Sequence, residues 1–281
     1  MLLNPHYGAD PVLVLEGDPR AILVPTVRQR QRLAATVAGF TDGEWTHPSR
    51  CDGWSSRDVI VHLDGTNFFW TQSIAAGLRG DPTRFLATFD PVTSPAQSVA
   101  QSQGLPASEV RDRFVESTNT LVALLESLGA DDWTLLAEAP PGHVGISAVA
   151  HHALWDAWIH ERDILLPLAA DPIVEVDEVT ACLRYAAALG PLLARSNGIE
   201  HRGRLALHAT DPDADVLVEI GDHVVVTDVV VTDEAVDADL VLSGPAADMV
   251  DMLSIRRPVD QVIPSEVAWM LEGLSTVFDN P

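Results

Sequence analysis

The spacing of apolar residues changes near residue 200, and this change constrains the fold more than any other feature of the chain. Before it, apolar residues recur at intervals of three and four, as on one face of a helix. After it, short β-branched runs alternate with polar residues, as in half-buried strands. The sequence therefore predicts an α+β protein, with an N-terminal four-helix bundle over residues 1–170 and a smaller C-terminal α/β domain over residues 171–281.

Four long helices are predicted in the first part, and a fifth leads into the second. Ser55, with Asp58 three residues later, predicts a capping box, and Ser147 is the expected cap of the fourth helix. The proline-rich stretch 80–106 is predicted to be a long connection without regular structure. The predicted helices cover residues 26–38, 55–78, 108–128, 147–165 and 177–195.

The second part is predicted to contain a short antiparallel or mixed sheet. Turn signals such as Asp211-Pro212-Asp213 and Gly221-Asp222 separate the apolar runs. The predicted strands cover residues 204–209, 216–220, 223–231 and 240–243, and helices over 245–254 and 264–278 close the chain.

Charge and composition exclude several classes of function. The formal net charge is −24, which disfavours nucleic acid and anionic membranes as partners. All 17 cationic residues are arginine, so mechanisms that need a lysine amine are excluded. The apolar runs are far shorter than the roughly 20 residues that span a bilayer, and no secretion signal is apparent. Cys51 and Cys182 do not make a disulfide framework, so a cytoplasmic protein with reduced thiols is expected.

Two predicted helices carry residues that suit a metal ion. His62 lies on the apolar face of the second helix, and His152, Asp156 and His160 follow at i, i+4 and i+8 on the fourth. His62, Asp156 and His160 offer two imidazoles and one carboxylate, with room for an exchangeable ligand. This set suits Zn²⁺ best, although Fe²⁺, Ni²⁺ and Mn²⁺ also accept it. His152 is the candidate for a fourth ligand; alternatively, Asp156 and His160 simply bond each other across one turn.

Two stretches carry a resemblance to a known family. Residues 45–63 read WTHPSRCDGWSSRDVIVHL and residues 156–164 read DAWIHERDI. Both resemble signatures of the mycothiol-dependent maleylpyruvate isomerase family, whose N-terminal domain is a DinB-like metal-binding four-helix bundle. The resemblance places the metal ligands on His62, Asp156 and His160. It departs at Asp156, where the isomerase has Glu, so the geometry or metal preference is expected to differ.

The same resemblance implies one further site residue. It places a substrate-binding arginine at Arg256, with Arg257 as the alternative. In the competing interpretation, these two adjacent arginines only neutralise nearby carboxylates and do not bind substrate. His152 and Trp155 are the predicted contacts of the thiol, although Trp155 and Trp158 at i and i+3 are also typical of a helix core.

The resemblance implies an enzyme in which a divalent metal activates a small-molecule thiol, mycothiol, for attack on an electrophile. Cys51 is interpreted as a packing residue, so the thiol comes from outside the chain. Isomerisation and S-conjugation remain open, as does the choice between monomer and homodimer. Two alternatives are a metal hydrolase that uses bound water and a non-catalytic module that binds a small molecule or a protein.

Overall fold

The long helices of the bundle and those of the second part lie close to their predicted positions. The computed structural model describes residues 3–229 and 237–278. The helices in the described residues are α1 (Leu23–Ala38), α2 (Asp42–Thr46), α3 (Ser56–Leu78), α4 (Thr93–Gln101), α5 (Ala107–Glu126), α6 (Ile146–Leu165), α7 (Val176–Ser196), α8 (Ala246–Leu253) and α9 (Trp269–Phe278).

Within the described residues, the strands form one mixed sheet and one hairpin. They are β1 (Leu13–Leu15), β2 (Leu136–Ala139), β3 (Gly142–Gly145), β4 (Gly203–Thr210), β5 (Ala214–Ile220), β6 (Val224–Asp228) and β7 (Leu240–Pro245). The sheet has the order β1-β6-β5-β4-β7, with β1–β6 and β4–β7 parallel and the other pairs antiparallel. The predicted α+β class, with a helical N-terminal part and a mixed sheet, is confirmed.

The start of α3 confirms the predicted capping box. The Ser55 hydroxyl accepts from the backbone N–H of Asp58, and the Asp58 carboxylate accepts from the backbone N–H of Ser55 at 2.9 Å. These reciprocal bonds satisfy donors that the first helical turn leaves without a partner. The cap therefore determines where the helix that carries His62 begins.

Two predictions about helices were wrong. Helix α6 begins at Ile146 with Gly145 as its N-cap, because β3 leads directly into the helix and Ser147 already lies inside it. The stretch 80–106 contains α4 and a 3-10 turn over Phe85–Thr88. Pro95 is compatible with α4 because it lies in the first turn, where backbone N–H groups have no partner within the helix.

The C-terminal elements deviate mainly at their ends. Helix α9 begins at Trp269, several residues later than predicted. The predicted strand 223–231 is found over Val224–Asp228, and its last two positions fall outside the described residues. Helices α7 and α9 approach so closely at Gly190 that a side chain would not fit there. A Cβ at this position would lie 2.1 Å from the Met270 carbonyl oxygen.

Strand β1 joins the sheet although it belongs to the N-terminal part of the chain. Leu13, Val14 and Leu15 pair in parallel with Val224, Val225 and Val226 of β6. Helix α7 packs against both α6 and the sheet. The division at residue 170 stays a prediction, and β1 ties the two parts together across it.

The buried apolar residues form two clusters. The larger extends from the bundle to the sheet and includes Trp70, Trp158 and Tyr185, while the smaller includes Val59 and Phe114. Within the described residues, no helix is both long and apolar enough to cross a membrane.

Candidate metal centre

The structure brings His62, Asp156 and His160 together between α3 and α6. Each histidine Nε2 lies 3.6 Å from Oδ1 of Asp156, and the two imidazole rings are 5.0 Å apart between centroids. The three potential ligand atoms all lie within 4.8 Å of one another. A separation of 3.6 Å is too long for a hydrogen bond, so these atoms converge without bonding each other directly.

This donor set fits a divalent cation. Bonds of about 2.0–2.2 Å from Zn²⁺ to imidazole and carboxylate place neighbouring ligand atoms a little over 3 Å apart in a tetrahedron. Asp156 and His160 are buried, whereas His62 is partly exposed. Three protein ligands with one accessible side are typical of a centre that keeps an open position.

Asp156 is held in its ionised form by its surroundings. Burial alone raises the pKa of this carboxyl, but the contact with His62 and the interactions with His160 and His152 lower it well below its ordinary value. The Thr66 hydroxyl donates to Oδ2 of Asp156 at 3.1 Å, which leaves Oδ1 directed towards the histidines. The indole of Trp54 lies 5.6 Å from the His62 ring, between centroids.

Asp163 orients His160 from the other side of the imidazole. Nδ1 of His160 lies 2.9 Å from Oδ2 of Asp163, and Asp163 is fully buried. Burial raises the pKa of Asp163, but the bond with His160 and the charge of Arg256 together lower it well below its ordinary value. An ionised Asp163 accepts a hydrogen bond from Nδ1–H of His160, so the Nε2 lone pair is available for a metal.

Arg256 lies at the edge of this centre and is bonded to Asp163. Its Nε lies 3.0 and 3.1 Å from the two carboxylate oxygens, and its Nη2 lies 2.9 Å from Oδ2. Its Nη1 donates to the carbonyl of Ser254 at 3.2 Å. Arg50 donates to the same carboxylate from Nε at 2.9 Å. The role of Arg256 in substrate binding stays a prediction.

Cys51 also contacts Asp163, with Sγ 3.2 Å from Oδ2 and 3.7 Å from Nδ1 of His160. Cys51, His160 and Asp163 therefore form a second group with the composition of a metal site. The two guanidiniums on Asp163 already neutralise its charge and oppose a second cation there.

Of the two predicted thiol contacts, His152 lies one turn before Asp156 and Trp155 immediately precedes it. Nδ1 of His152 is 2.6 Å from the Tyr185 hydroxyl, and its ring lies between Trp70 and Trp155 at centroid distances of 4.5 and 5.3 Å. Burial lowers the pKa of His152 to about 4, so its imidazole is neutral. The Trp155 indole N–H donates to the Ser254 hydroxyl at 2.8 Å. Neither group of potential ligands found among the described residues contains His152, so its role as a ligand stays a prediction.

Sequence reasoning missed Arg30, a fully buried residue close to the centre. Its Nη2 donates to the carbonyl of Ala153 at 2.6 Å, and its Nη1 pairs with Asn67. Burial lowers the pKa of Arg30 to about 10, and the charge of Asp156 opposes this shift. The available signal was a charged residue at helical spacing with Leu33 and Val37 on the apolar face of α1.

Comparison with known proteins shows which family the helical part of the chain resembles. A family model described as the mycothiol maleylpyruvate isomerase N-terminal domain matches residues 27–165. Residues 27–165 are therefore similar to the N-terminal domain of the mycothiol maleylpyruvate isomerase family.

Two solved structures share the fold. A crystal structure of the mycothiol-dependent maleylpyruvate isomerase is 15% identical in sequence, with a TM-score of 0.60, and the alignment covers 88% of this chain and 93% of that one. A crystal structure of a point mutant of that enzyme is 14% identical, with a TM-score of 0.59, and covers 85% and 90%. No curated protein has a significant sequence match to the chain.

Proposed function

We propose that this protein is a mycothiol-dependent metalloenzyme that catalyses attack of a small-molecule thiol on an electrophile. The observation that carries the proposal is the convergence of His62, Asp156 and His160, with Asp163 orienting His160 from behind. The family and the similar solved structures support both the thiol and an isomerase activity. The outcome is cis–trans isomerisation if the adduct collapses and S-conjugation if it is retained.

The chain's own residues would divide the work as follows. His62, Asp156 and His160 would hold one divalent cation, with Zn²⁺ as the best fit to two imidazoles and a carboxylate. When bound, such a cation stabilises the thiolate form of a thiol at neutral pH. Thr66 keeps the Asp156 carboxylate in place through a hydrogen bond to Oδ2. Asp163 accepts a hydrogen bond from Nδ1–H of His160, which leaves Nε2 free to act as a ligand.

The two cysteines of the chain are poor nucleophiles, which supports an external thiol. Burial and the charge of Asp163 raise the pKa of Cys51 to about 12. Burial also raises the pKa of Cys182 well above its ordinary value. Both side chains therefore stay protonated at neutral pH, whereas the nucleophilic form of a cysteine is the thiolate.

We further propose a cytoplasmic location and small-molecule partners alone, as a monomer or homodimer. The high negative charge opposes binding to nucleic acid and to anionic membranes.

Metal content and thiol binding test this function together. Protein purified without chelator is analysed for bound metal and titrated with mycothiol by calorimetry, alongside His160→Ala and the control His208→Ala. His208 is a suitable control because it is a histidine on β4, outside the candidate metal centre, and its side chain is 47% exposed. We expect about one metal ion per chain in the wild type and the control, and a large loss in His160→Ala. Metal binding without affinity for mycothiol, combined with thiol-independent hydrolysis, would overturn the proposal in favour of the hydrolase.

A further inference from the structure

Arg79 and Arg84 carry guanidiniums that have no partner in a chain where acids far outnumber bases. The sequence has 41 acidic and 17 basic residues, so carboxylates are abundant. Most arginines are used in ion pairs, for example Arg28, Arg32 and Arg256. Among the residues that the structure describes, neither Arg79 nor Arg84 has an ion-pair partner or an acceptor for its guanidinium. Their N–H donors are therefore available to an anion from outside the chain.

Both arginines line one open pocket of about 820 Å³ at the end of α3. Its other walls include Gly8 of the N-terminal segment and His143 of the β2–β3 hairpin. Of the lining residues, Asp81 is the one carboxylate, and it forms an ion pair with neither arginine. The pocket therefore presents two cations and one anion, an excess of positive charge, to a molecule that enters it.

The guanidinium of Arg84 is held in place by an aromatic ring. Its Cζ lies over the ring of Tyr7, 5.3 Å from the centroid. The Tyr7 hydroxyl donates to Oε1 of the buried Glu138 at 2.6 Å, and its ring lies 4.8 Å from that of His143 between centroids. Contact with a ring uses the face of a guanidinium, so the N–H groups in its plane stay free for an oxyanion. Holding the group before binding lowers the entropy cost of binding.

The carboxylate of Glu138 fixes the segment that carries Arg84. Besides Tyr7, it accepts from the Thr83 hydroxyl at 2.7 Å and from the backbone N–H groups of Phe85 and Leu86 at 2.8 Å each. A carboxylate has about four acceptor positions, so these donors fill it. Glu138 thus anchors the chain on both sides of Arg84 without pairing with its guanidinium.

Arg79 taken alone has a simpler explanation than ligand binding. It is the C-cap of α3, where a cation is favourable beside the last carbonyl groups of a helix. That explanation does not account for Arg84, which lies outside α3 and lines the same pocket. The net charge of −24 opposes anions at long range. At physiological ionic strength the Debye length is about 8 Å, so charges within the pocket dominate over distant acids.

The pocket is separate from the candidate metal centre. Arg79 follows His62 by 17 residues. At a rise of about 1.5 Å per residue, this spacing corresponds to about 25 Å along the axis of α3. A small molecule held by the two arginines therefore does not contact the candidate metal ligands.

We propose that Arg79 and Arg84 bind the phosphate group of a free small-molecule phosphate monoester in this pocket. Such a group carries about two negative charges near neutral pH, and its three terminal oxygens accept from both guanidiniums. The organic part of the molecule lies beside Ala76 and Leu136, which also line the pocket. This inference goes beyond the proposed function and does not depend on it.

Calorimetric titration with glycerol 3-phosphate tests the site in the whole chain, treated with chelator, at physiological ionic strength. We expect one molecule per chain with a Kd below about 1 mM. Arg79→Gln and Arg84→Gln should each weaken binding by about 10-fold, because charge-assisted hydrogen bonds are lost. Arg20→Gln is the matched control, since Arg20 is exposed, lies outside the pocket and has no acceptor for its guanidinium among the described residues. It should bind like the wild type.

Asp81→Asn gives a change in the opposite direction. Removing the one carboxylate of the pocket should tighten binding by about 2- to 5-fold, because repulsion of the phosphate is lost. This variant keeps both arginines, so it decides the question if an arginine variant fails to fold by circular dichroism. Unchanged or weaker binding in Asp81→Asn would contradict the site.

Three further results would overturn the proposal. One is the absence of saturable binding up to about 10 mM glycerol 3-phosphate. Another is equal affinity in the wild type, Arg79→Gln and Arg84→Gln, which would mean an adventitious ion only. The third is a lower Tm in Arg79→Gln with unchanged phosphate affinity, which would assign this arginine to the end of α3 alone.

A phosphatidic acid headgroup offers the same phosphate chemistry on a membrane, and vesicles distinguish the two sources. We expect the protein not to sediment with phosphatidylcholine vesicles that contain phosphatidic acid, because its net charge of −24 is repelled by an anionic surface. Sedimentation that is lost in Arg84→Gln, without affinity for glycerol 3-phosphate, would overturn the free molecule as the ligand.

Zinc separates this site from the proposed function. Loading the protein with zinc should leave the affinity for glycerol 3-phosphate unchanged, because the pocket lies far along α3 from His62. Absence of metal and mycothiol binding would overturn the proposed function and leave the phosphate site standing. Loss of phosphate binding on zinc loading would instead show that the anion and the metal share one site, which contradicts this inference.

Discussion

Nδ1 of His160 lies 2.9 Å from the buried carboxylate of Asp163, so a residue three positions further along α6 orients this imidazole. The same carboxylate accepts from Arg50 before α3 and from Arg256 after α8. A group behind one histidine therefore connects the bundle with the C-terminal part of the chain.

Replacing Asp163 should weaken metal binding without removing a ligand. In Asp163→Asn the amide cannot carry the charge that holds the Nδ1 proton, and it places an NH₂ group against two guanidiniums. We expect zinc affinity to fall by about 10- to 100-fold, as measured by competition with a chromophoric chelator. Asp213→Asn, an exposed control, should bind zinc like the wild type. Unchanged affinity in Asp163→Asn would show that His160 does not depend on this contact.

Metal should stabilise the fold through the same three residues. Zinc added to chelator-treated protein at about 100 times its dissociation constant should raise the free energy of unfolding by about 2.7 kcal/mol. Differential scanning fluorimetry measures this as a rise in Tm. His62→Ala should lose the rise, because only Asp156 and His160 remain. A rise of wild-type size in this variant would place the ion elsewhere.

The free energy of unfolding should rise with pH over the range in which His151 is protonated in the unfolded chain but neutral in the folded one. Burial lowers the pKa of His151 to about 4, and Nδ1 donates to the Ser147 carbonyl at 2.8 Å. Between about pH 4 and 6.5 the unfolded chain binds this proton and the folded chain does not, so folding becomes more favourable as the pH rises.

Urea unfolding of chelator-treated protein at several pH values measures this slope. In His151→Gln the slope between pH 4.5 and 6.5 should be smaller by up to about 1.4 kcal/mol per pH unit. His223→Gln, at an exposed position, should leave more of the slope in place. Identical slopes in His151→Gln and the wild type would mean that folding does not change the pKa of His151.

The buried guanidinium of Arg30 should matter for stability. Arg30→Ala removes the partner of Asn67 and leaves a cavity beside Ala153. We expect a loss of about 3–5 kcal/mol in the free energy of unfolding, measured by urea titration. Arg30→Met should cost clearly less because it keeps most of the volume. Equal losses in the two variants would assign the effect to the hydrogen bonds alone.

The helix faces that carry the metal ligands could be predicted because their signals are local. Asp156 and His160 are four residues apart, and the Ser55–Asp58 cap lies seven residues before His62. Such spacings lie within one or two helical turns, so the sequence places these side chains relative to each other before any tertiary contact forms.

The missed elements depend on contacts between distant residues. Strand β1 has three residues and becomes regular by pairing with β6, more than 200 positions away. Helix α4 has one buried residue, Val99, so its apolar pattern is weak and the prolines of the stretch 80–106 dominate the sequence signal.

The sequence alone predicted the helix faces of the bundle, the change to strands near residue 200 and a candidate set of two imidazoles and one carboxylate. The tertiary structure decided that His62 meets the other two ligands, that His152 turns towards Tyr185, and that Arg50 and Arg256 both reach Asp163. The reason is physical: helical periodicity determines which face a residue occupies, whereas the packing of helices far apart in sequence determines which faces meet.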